Sequence, residues 1–319
     1  MKKLLVTGAY GLVGSAVCEA AEFYYPDIEV IKISSQDFDL TSERDVKIMF
    51  DLYHSDISPI DAVVHCAARV GGIGRNLNSP YRQFTANILM NTNVIDTAAS
   101  HGIKKLIAFS SVCAFPQDLK MIKEEFLHGG EPYPAHRSYA YSKRMVDIQI
   151  EALGKEYHEQ EFNYCSVIPG NIFGENDNFN LEDGHVIPSL IRKGHEAARN
   201  KSELVVWGTG KAIREFIYSK DIGRACIELL ALKSMPQKIL ISGRADKIGE
   251  IAQVVAKHYN IPIRFDSSKP DGQLVRLTDK SLFEGVLPNF KYISTETALI
   301  KTLKWYDKTY PNVRGLEWN

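Results

Sequence analysis

The sequence predicts an α/β protein built on a doubly wound parallel sheet, and three observations predict it. Strand-like and helix-like stretches alternate through the first half of the chain. The first strand-like run passes straight into a glycine-rich turn that opens a helix. The apolar runs are short, as in Lys3-Leu4-Leu5-Val6, far below the ~20 residues of a membrane-spanning helix. At 319 residues, 45% of them hydrophobic, the chain has core material for one large domain or two modest ones. Its 38 Lys+Arg balance 39 Asp+Glu, so no basic excess serves nucleic acid or a membrane surface. Two lysines and a three-residue apolar run precede the glycine turn, which does not read as a signal peptide. The five cysteines (Cys18, Cys66, Cys113, Cys165, Cys226) are odd in number and never paired as C-x-x-C. That usage predicts a reduced, cytoplasmic compartment.

Residues 3–6 read as a buried strand, 13–23 as a helix, 29–33 as a strand and 43–53 as a helix. The rhythm continues with a strand at 61–66, a long helix at 85–101 and a strand at 105–111, then a helix at 139–157 and a strand at 162–168. From Pro169 to about Lys211 the chain is richer in Asn, Asp, Gly and His, and loops of that kind usually bear ligand contacts. A helix at 219–232 and a strand at 238–242 return to the first domain, and a helix at 249–258 with a tail of short elements makes a smaller lobe. The two lobes are expected to interleave: 1–168 with 215–243 in one, 169–214 with 244–319 in the other.

Thr7-Gly8-Ala9-Tyr10-Gly11-Leu12-Val13-Gly14 is a G-x-x-G-x-x-G turn between strand and helix, the context in which such a turn holds a dinucleotide. The first glycines allow the tight turn, the middle one lets backbone approach a pyrophosphate, and the last lets helix pack on strand. N–H groups at the helix start then face the phosphates. Taken alone, the motif also fits an ordinary glycine-rich turn. An acidic residue closing the second strand would bind the ribose diol of NAD. That place reads Lys32-Ile33-Ser34-Ser35-Gln36, with no carboxylate before Asp37, and serine hydroxyls with a lysine favour the 2′-phosphate of NADP.

Tyr139-Ala140-Tyr141-Ser142-Lys143 sets a tyrosine and a lysine four apart on one helix face. A free phenol titrates near ~10, and a neighbouring ammonium would lower that value. Ser111, at the end of the fourth strand, would sit beside the phenol and hydrogen-bond a substrate carbonyl. Cys113 follows two residues later, and His185 lies in the loop-rich lobe. A lone cysteine is most often a small hydrophobe and a lone histidine structural, but both exchange protons near neutral pH. Placed on either side of a keto sugar, they could move protons at the carbons flanking the carbonyl. No H-E-x-x-H, C-x-x-C pair, Walker-type segment or G-x-S-x-G elbow occurs, so metal and serine-hydrolase chemistry have no support.

The order of glycine turn, strand-end serine and Y-x-x-x-K resembles the extended short-chain dehydrogenase/reductase family. More specific segments resemble the GDP-L-fucose synthases within it, epimerase–reductases of GDP-4-keto-6-deoxy-D-mannose. They are Arg69-Val70-Gly71-Gly72-Ile73, Ser111-Val112-Cys113-Ala114-Phe115-Pro116, Asp177-Asn178-Phe179 with His185-Val186-Ile187-Pro188, Arg214-Glu215-Phe216 and Lys269-Pro270-Asp271-Gly272. The resemblance covers nearly the whole chain. It implies a Rossmann-type cofactor lobe, an NADP cofactor, a GDP-sugar substrate and a homodimer. It also implies a reductase trio of Ser111, Tyr139 and Lys143, with Cys113 and His185 as epimerisation acid and base. Gly8, Tyr10, Gly11, Leu12, Val13, Gly14, Ser34, Ser35, Ala67, Lys143, Pro169, Asn171, Ile172 and His185 would line the cofactor. Lys193, Trp207, Arg214 and Asp271 would contact the nucleotide sugar.

Departures from the family's pattern accompany the likeness. Tyr10 stands where a basic residue is common, and Ile33-Ser34-Ser35 lacks the usual arginines. Val112 replaces a small polar residue, Phe115 a tyrosine and Lys193 an arginine. A relative that only reduces, or that epimerises one centre of another GDP-4-keto sugar, therefore stays open. So does a non-catalytic nucleotide-binding protein, although such a protein has no use for an activated phenol.

Overall fold

A computed structural model describes residues 1–269, 275 and 277–316, without the side chains of residues 73–75. In chain order its elements begin with β1 (Lys3–Thr7), α1 (Leu12–Tyr24), β2 (Glu29–Ile33), α2 (Glu43–Tyr53), β3 (Ala62–His65), α3 (Ile73–Asn78), α4 (Pro80–Ser100) and β4 (Lys105–Phe109). The middle of the chain holds β5 (Met121–Ile122), α5 (Arg137–Glu156), β6 (Asn163–Pro169), β7 (Asn171–Phe173), α6 (Val186–Arg199), β8 (Leu204–Trp207) and β9 (Ile213–Tyr218). Then come α7 (Ser219–Ala231), β10 (Lys238–Ile241), β11 (Arg244–Lys247), α8 (Ile248–Tyr259), β12 (Ile263–Asp266), β13 (Leu277–Thr278), α9 (Ser281–Val286) and α10 (Thr295–Thr309).

Six strands form the main sheet in the order β10-β6-β4-β3-β1-β2, and every pairing in it is parallel. The chain steps outward from β1 to β2 and then returns past β1 to β3, which makes the β1/β3 boundary a topological switch point. All-parallel strands are buried on both faces, and β1 is buried at all five positions. Its side chains divide by the period of two. Leu4 and Val6 join Val64, Ile107 and Val167 beneath α1 and α7, while Leu5 joins Val63 and Leu106 beneath α2, α4 and α5.

Among the described residues three small sheets lie outside the main one: β11-β9-β7, β12-β8 and β13-β5. The core of the first two, with Phe179, Ile191, Val255 and Leu303, is separate from those of the main sheet, whereas Ile122 of β5 packs with Ile168 and Leu240 of the main sheet. The long helix predicted from residue 85 starts five residues earlier, at Pro80, because proline at the first helical position needs no partner for its missing N–H. Serine hydroxyls cap two other helices, Ser42 accepting from the Asp45 N–H (3.2 Å) and Ser294 from that of Thr297 (3.2 Å). No helix among the described residues is long and apolar enough to cross a membrane.

Helix α7 packs against α1 through Gly223, where an added Cβ would lie 2.3 Å from the Ala16 carbonyl oxygen and 2.9 Å from the Val17 nitrogen. Gly223→Ala gains up to about 1 kcal/mol of helix propensity, but backbone on the far side cannot rotate away. Overpacking costs about 1–3 kcal/mol or more, so we expect net destabilisation of about 2 kcal/mol. A chemical denaturation midpoint equal to or above that of the parent chain would contradict this.

Candidate active site

The glycine turn lies at the switch point. Gly8 has φ +64°, and a Cβ there would be 2.8 Å from the Ala67 nitrogen; at Gly14 it would be 2.1 Å from the Gly8 carbonyl oxygen. Only hydrogens at both places let α1 begin directly over the ends of β1 and β3. Gly11 is the N-cap of α1, no side chain caps it, and the first turn holds no acid. The positive end of α1 is thus left to an external anion, with Leu12 and Val13 in its first turn. The cradle fits a dinucleotide pyrophosphate. Tyr10 is exposed at its rim.

At the tip of β2 the Asp37 carboxylate folds back. It accepts from the Ser34 N–H (2.8 Å) and the Ser34 hydroxyl (2.7 Å), and those bonds hold its carboxyl below the ordinary range. A carboxylate therefore does stand beside this tip, three residues later in sequence than a strand-end acid would be. The Ser34 hydroxyl proton is engaged within the turn, while Ser35 is exposed.

Strand β4 ends at Phe109, two residues earlier than the sequence suggests, and Ser111 instead caps a single 3-10 turn, Val112–Ala114. Its hydroxyl accepts from the Cys113 N–H (3.2 Å), which fixes where the thiol projects. Helix α5 is tied to this turn in both directions. The Ser110 hydroxyl donates to the Lys143 carbonyl (3.0 Å), and the Lys143 ammonium donates to the Phe109 carbonyl (2.9 Å). The Tyr139 ring is 8% exposed. Burial pushes its phenol well above the ordinary value and the Cys113 thiol beside it adds to that, while the Ser111 hydroxyl pulls the other way. Burial also presses the Lys143 ammonium down to about 8. The ammonium is turned to the Phe109 carbonyl because a buried cation takes the nearest acceptor.

His185 is the N-cap of α6, on the loop that carries Asp177. Asp177 is 4% exposed; one carboxylate oxygen accepts from the Asn178 N–H (2.7 Å) and the other has no hydrogen-bond partner. Burial raises its carboxyl to about 6, against the pull of His185, that N–H and Arg314. The loop is closed by side chains: Asn178 donates to Asp183 (2.8 Å), and Asn180 accepts from the N–H groups of Glu182 (2.7 Å) and Asp183 (3.1 Å). It meets the first lobe where the Gly72 N–H donates to the Asp183 carbonyl (2.7 Å). Two of the most specific sequence segments are thus joined by one backbone bond.

Of the remaining predicted positions, Pro169 ends β6, and Asn171 and Ile172 lie in β7, the Asn171 amide donating to the Glu215 carbonyl (2.8 Å). Lys193 on α6 lies 4.8 Å from the Trp207 ring centre and Lys269 lies 5.7 Å from it, so the exposed indole is flanked by two ammonium groups. Arg214 is in β9. Asp271 lies outside the described residues.

Residues 4–242 match the NAD dependent epimerase/dehydratase family. The chain belongs to that family. A probable GDP-L-fucose synthase of Drosophila melanogaster is 35% identical, over 98% of this chain and 100% of that protein. A GDP-L-colitose synthase of Yersinia pseudotuberculosis is 30% identical, over 95% of this chain and 97% of that one. The crystal structure of a GDP-L-fucose synthetase from Naegleria fowleri bound to NADP superposes with a TM-score of 0.90 at 33% identity, covering 98% and 95% of the two chains.

Within this epimerase/dehydratase fold the sequence reading missed several supporting side chains. Buried His65 bonds the Thr7 hydroxyl (2.7 Å) and the Asn91 amide oxygen (3.1 Å), and burial lowers it to about 3, so a neutral imidazole underlies Lys143. Its signal was available, as a histidine closing the apolar run Ala62-Val63-Val64. Arg144 donates to the carbonyls of Ala114 (2.7 Å) and Gly130 (2.6 Å), holding the Cys113 turn from below. Nothing in its sequence neighbourhood distinguishes it from a surface arginine.

Asp177 sets a pH dependence whose sign follows from its displacement. Its carboxyl titrates at 3.8 unfolded and about 6 folded, so folding favours the protonated form. That stabilisation is full below pH 3.8 and lost as pH rises through 6. We expect Asp177→Asn to flatten the fall in unfolding free energy between pH 4 and 7 by roughly 2 kcal/mol. Urea titrations at the two pH values test this, and parallel curves for parent and variant would refute it.

Proposed function

We propose that this chain is an NADPH-dependent epimerase–reductase that inverts C3 and C5 and reduces C4 of a GDP-4-keto-6-deoxy sugar, giving GDP-L-fucose. The observation that carries the reading is the Cys113 thiol beside the Tyr139 phenol, with the Ser111 hydroxyl at both. An acid–base group for carbon and one for oxygen then share a single pocket. The full-length likeness to GDP-L-fucose synthases and to an NADP-bound one supports the substrate and the cofactor.

In this reading the substrate's C4 ketone lies against Ser111 and Tyr139, whose hydroxyls steady the negative oxygen of an enolate. Cys113 and His185 remove and return protons at C3 and C5, which the ketone acidifies. The phenol, held in its protonated form by burial, then gives its proton to the C4 oxygen, and Ser111 and the Lys143 ammonium stabilise the phenolate left behind. The bound nicotinamide supplies the hydride to C4. Gly8, Gly11, Leu12, Val13 and Gly14 hold its pyrophosphate, with Tyr10, Ser34, Ser35, Ala67, Lys143, Pro169, Asn171, Ile172 and His185 along its length. Lys193, Trp207, Arg214 and Asp271 take the GDP. A guanidinium fork at Arg214 suits two phosphate oxygens.

The cofactor lobe comprises 1–168 with 215–243, and the sugar lobe 169–214 with 244–319. A homodimer through α4 and α5 is supported by Tyr81, Leu89, Met145 and Ile148, which those helices leave exposed. A cytoplasmic setting is supported by five free cysteines. A second reading, a related GDP-4-keto sugar with one inverted centre or none, is favoured by Val112, Phe115 and Lys193 and by the likeness to a GDP-L-colitose synthase.

With GDP-4-keto-6-deoxy-D-mannose and NADPH in heavy water, we expect loss of nicotinamide absorbance and product deuterium at both C3 and C5 by NMR. Cys113→Ser should lower solvent exchange at least ~100-fold while retaining hydride transfer. One deuterium or none in the parent product selects the second reading, and no NADPH consumption refutes both.

A further inference from the structure

Outside the groups used so far, one buried charge bonded across several chain segments is Glu215, 5% exposed in β9. One carboxylate oxygen pairs with the Lys280 ammonium at 3.1 Å. The other accepts from the hydroxyls of Thr278 (2.7 Å) and Ser242 (3.4 Å). Lys280 also donates to the Gly243 carbonyl. These partners come from different parts of the chain: Ser242 and Gly243 follow β10 of the main sheet, and Thr278 and Lys280 belong to and follow β13. On the same strand Ile213 bridges Val275 in parallel register.

A buried ion pair is weak evidence for stability, since desolvation offsets much of its attraction. What it does supply is a unique register, because a slip of either strand would leave a carboxylate and an ammonium unpaired in the interior. Glu215 and Arg214 are adjacent in an extended strand, so their side chains leave on opposite faces. A lock on one of them therefore fixes the other.

We propose that Glu215, through Lys280 and Thr278, is a positioning residue for the nucleotide-sugar site, holding Arg214 in the register that meets the diphosphate. This rests on the proposed GDP-sugar reading. The cofactor cradle at Gly8–Gly14 shares none of these bonds, and Asn171 meets Glu215 only at its backbone carbonyl, which side-chain substitution leaves in place, so loss of the lock weakens nucleotide-sugar binding selectively.

The test measures GDP and NADP+ affinities separately by calorimetry for the parent chain, Glu215→Gln and Lys280→Met. Thr278→Val, which removes one neutral bond and no charge, serves if either charge variant fails to fold. The expected result is GDP affinity lowered about tenfold in each charge variant and measurably in Thr278→Val, with NADP+ affinity within twofold. With turnover substrate, KM for the sugar nucleotide should rise while kcat stays within threefold. Unchanged GDP affinity, or an equal loss for both ligands as a general loosening would produce, overturns the proposal. A parent chain that binds NADP+ but no GDP instead overturns the GDP reading beneath it.

Discussion

Everything in the site depends on one geometric constraint, the parallel direction of all six strands in the main sheet. Parallel strands return through helices on the faces, so each loop that leaves a strand's carboxyl end leaves on the same edge. The segments after β1, β2, β3, β4 and β6 are gathered there with no further instruction, and they bring Gly8, Ser34, Ala67, Ser111 and, at the start of β7, Asn171. The edge remains open at β1/β3 only because the chain reverses there. The close approach of Gly8 to Ala67 and of Gly14 to Gly8 is the local price of starting a helix at that opening.

Burial then sets the chemical bias of this edge. Removing water favours the neutral form of every ionisable group, so the phenol of Tyr139 rises and the ammonium of Lys143 falls. At neutral pH the lysine at about 8 is still charged, while the phenol holds its proton firmly. Such a pair is set to donate a proton to a negative oxygen rather than to withdraw one from an alcohol. That direction is the one a reduction requires. The neutral His65 beneath adds a fixed dipole network without a competing charge.

The alternation of strands and helices was legible because a doubly covered parallel strand is apolar at nearly every position, as in β1, and helices bound by such strands have little freedom of length. The glycine turn, Y-x-x-x-K and Ser111 were legible for a related reason: their chemistry requires those residues at short fixed separations. What the sequence hid were long-range partners. Arg144 and Glu215 become distinctive only when the fold brings carbonyls 114 and 130, or residues 242, 278 and 280, against them. The Phe109 carbonyl to which Lys143 donates was hidden for the same reason, since helical spacing relates Lys143 to Tyr139 and not to the end of a strand. Asp37 was visible yet its return to Ser34 was not, because whether a carboxylate reaches back three residues to an N–H is decided by local backbone angles.

The departures from the family's pattern fall unevenly across this architecture, and their placement bears on what could vary in the substrate. Lys193, where the resemblance expects an arginine, is a point charge in place of a planar fork, and it leaves Trp207 flanked by cations. Under the proposed function, the nucleotide end is thereby retained in charge and altered only in geometry. Val112 and Phe115, in contrast, lie within and just beyond the turn that aims Cys113 and Ser111, and Phe115 is fully buried. A phenylalanine there has no hydroxyl for a sugar or for the backbone, so the turn is held instead by Ser111 accepting from Cys113 and by Arg144 on the Ala114 carbonyl. Cys113 and Ser111 are thus fixed by bonds to backbone that the substituted side chains do not make. On the proposed reading, changes at 112 and 115 reshape the space beside C3 and C5 of the sugar while the thiol and the serine keep their mutual positions.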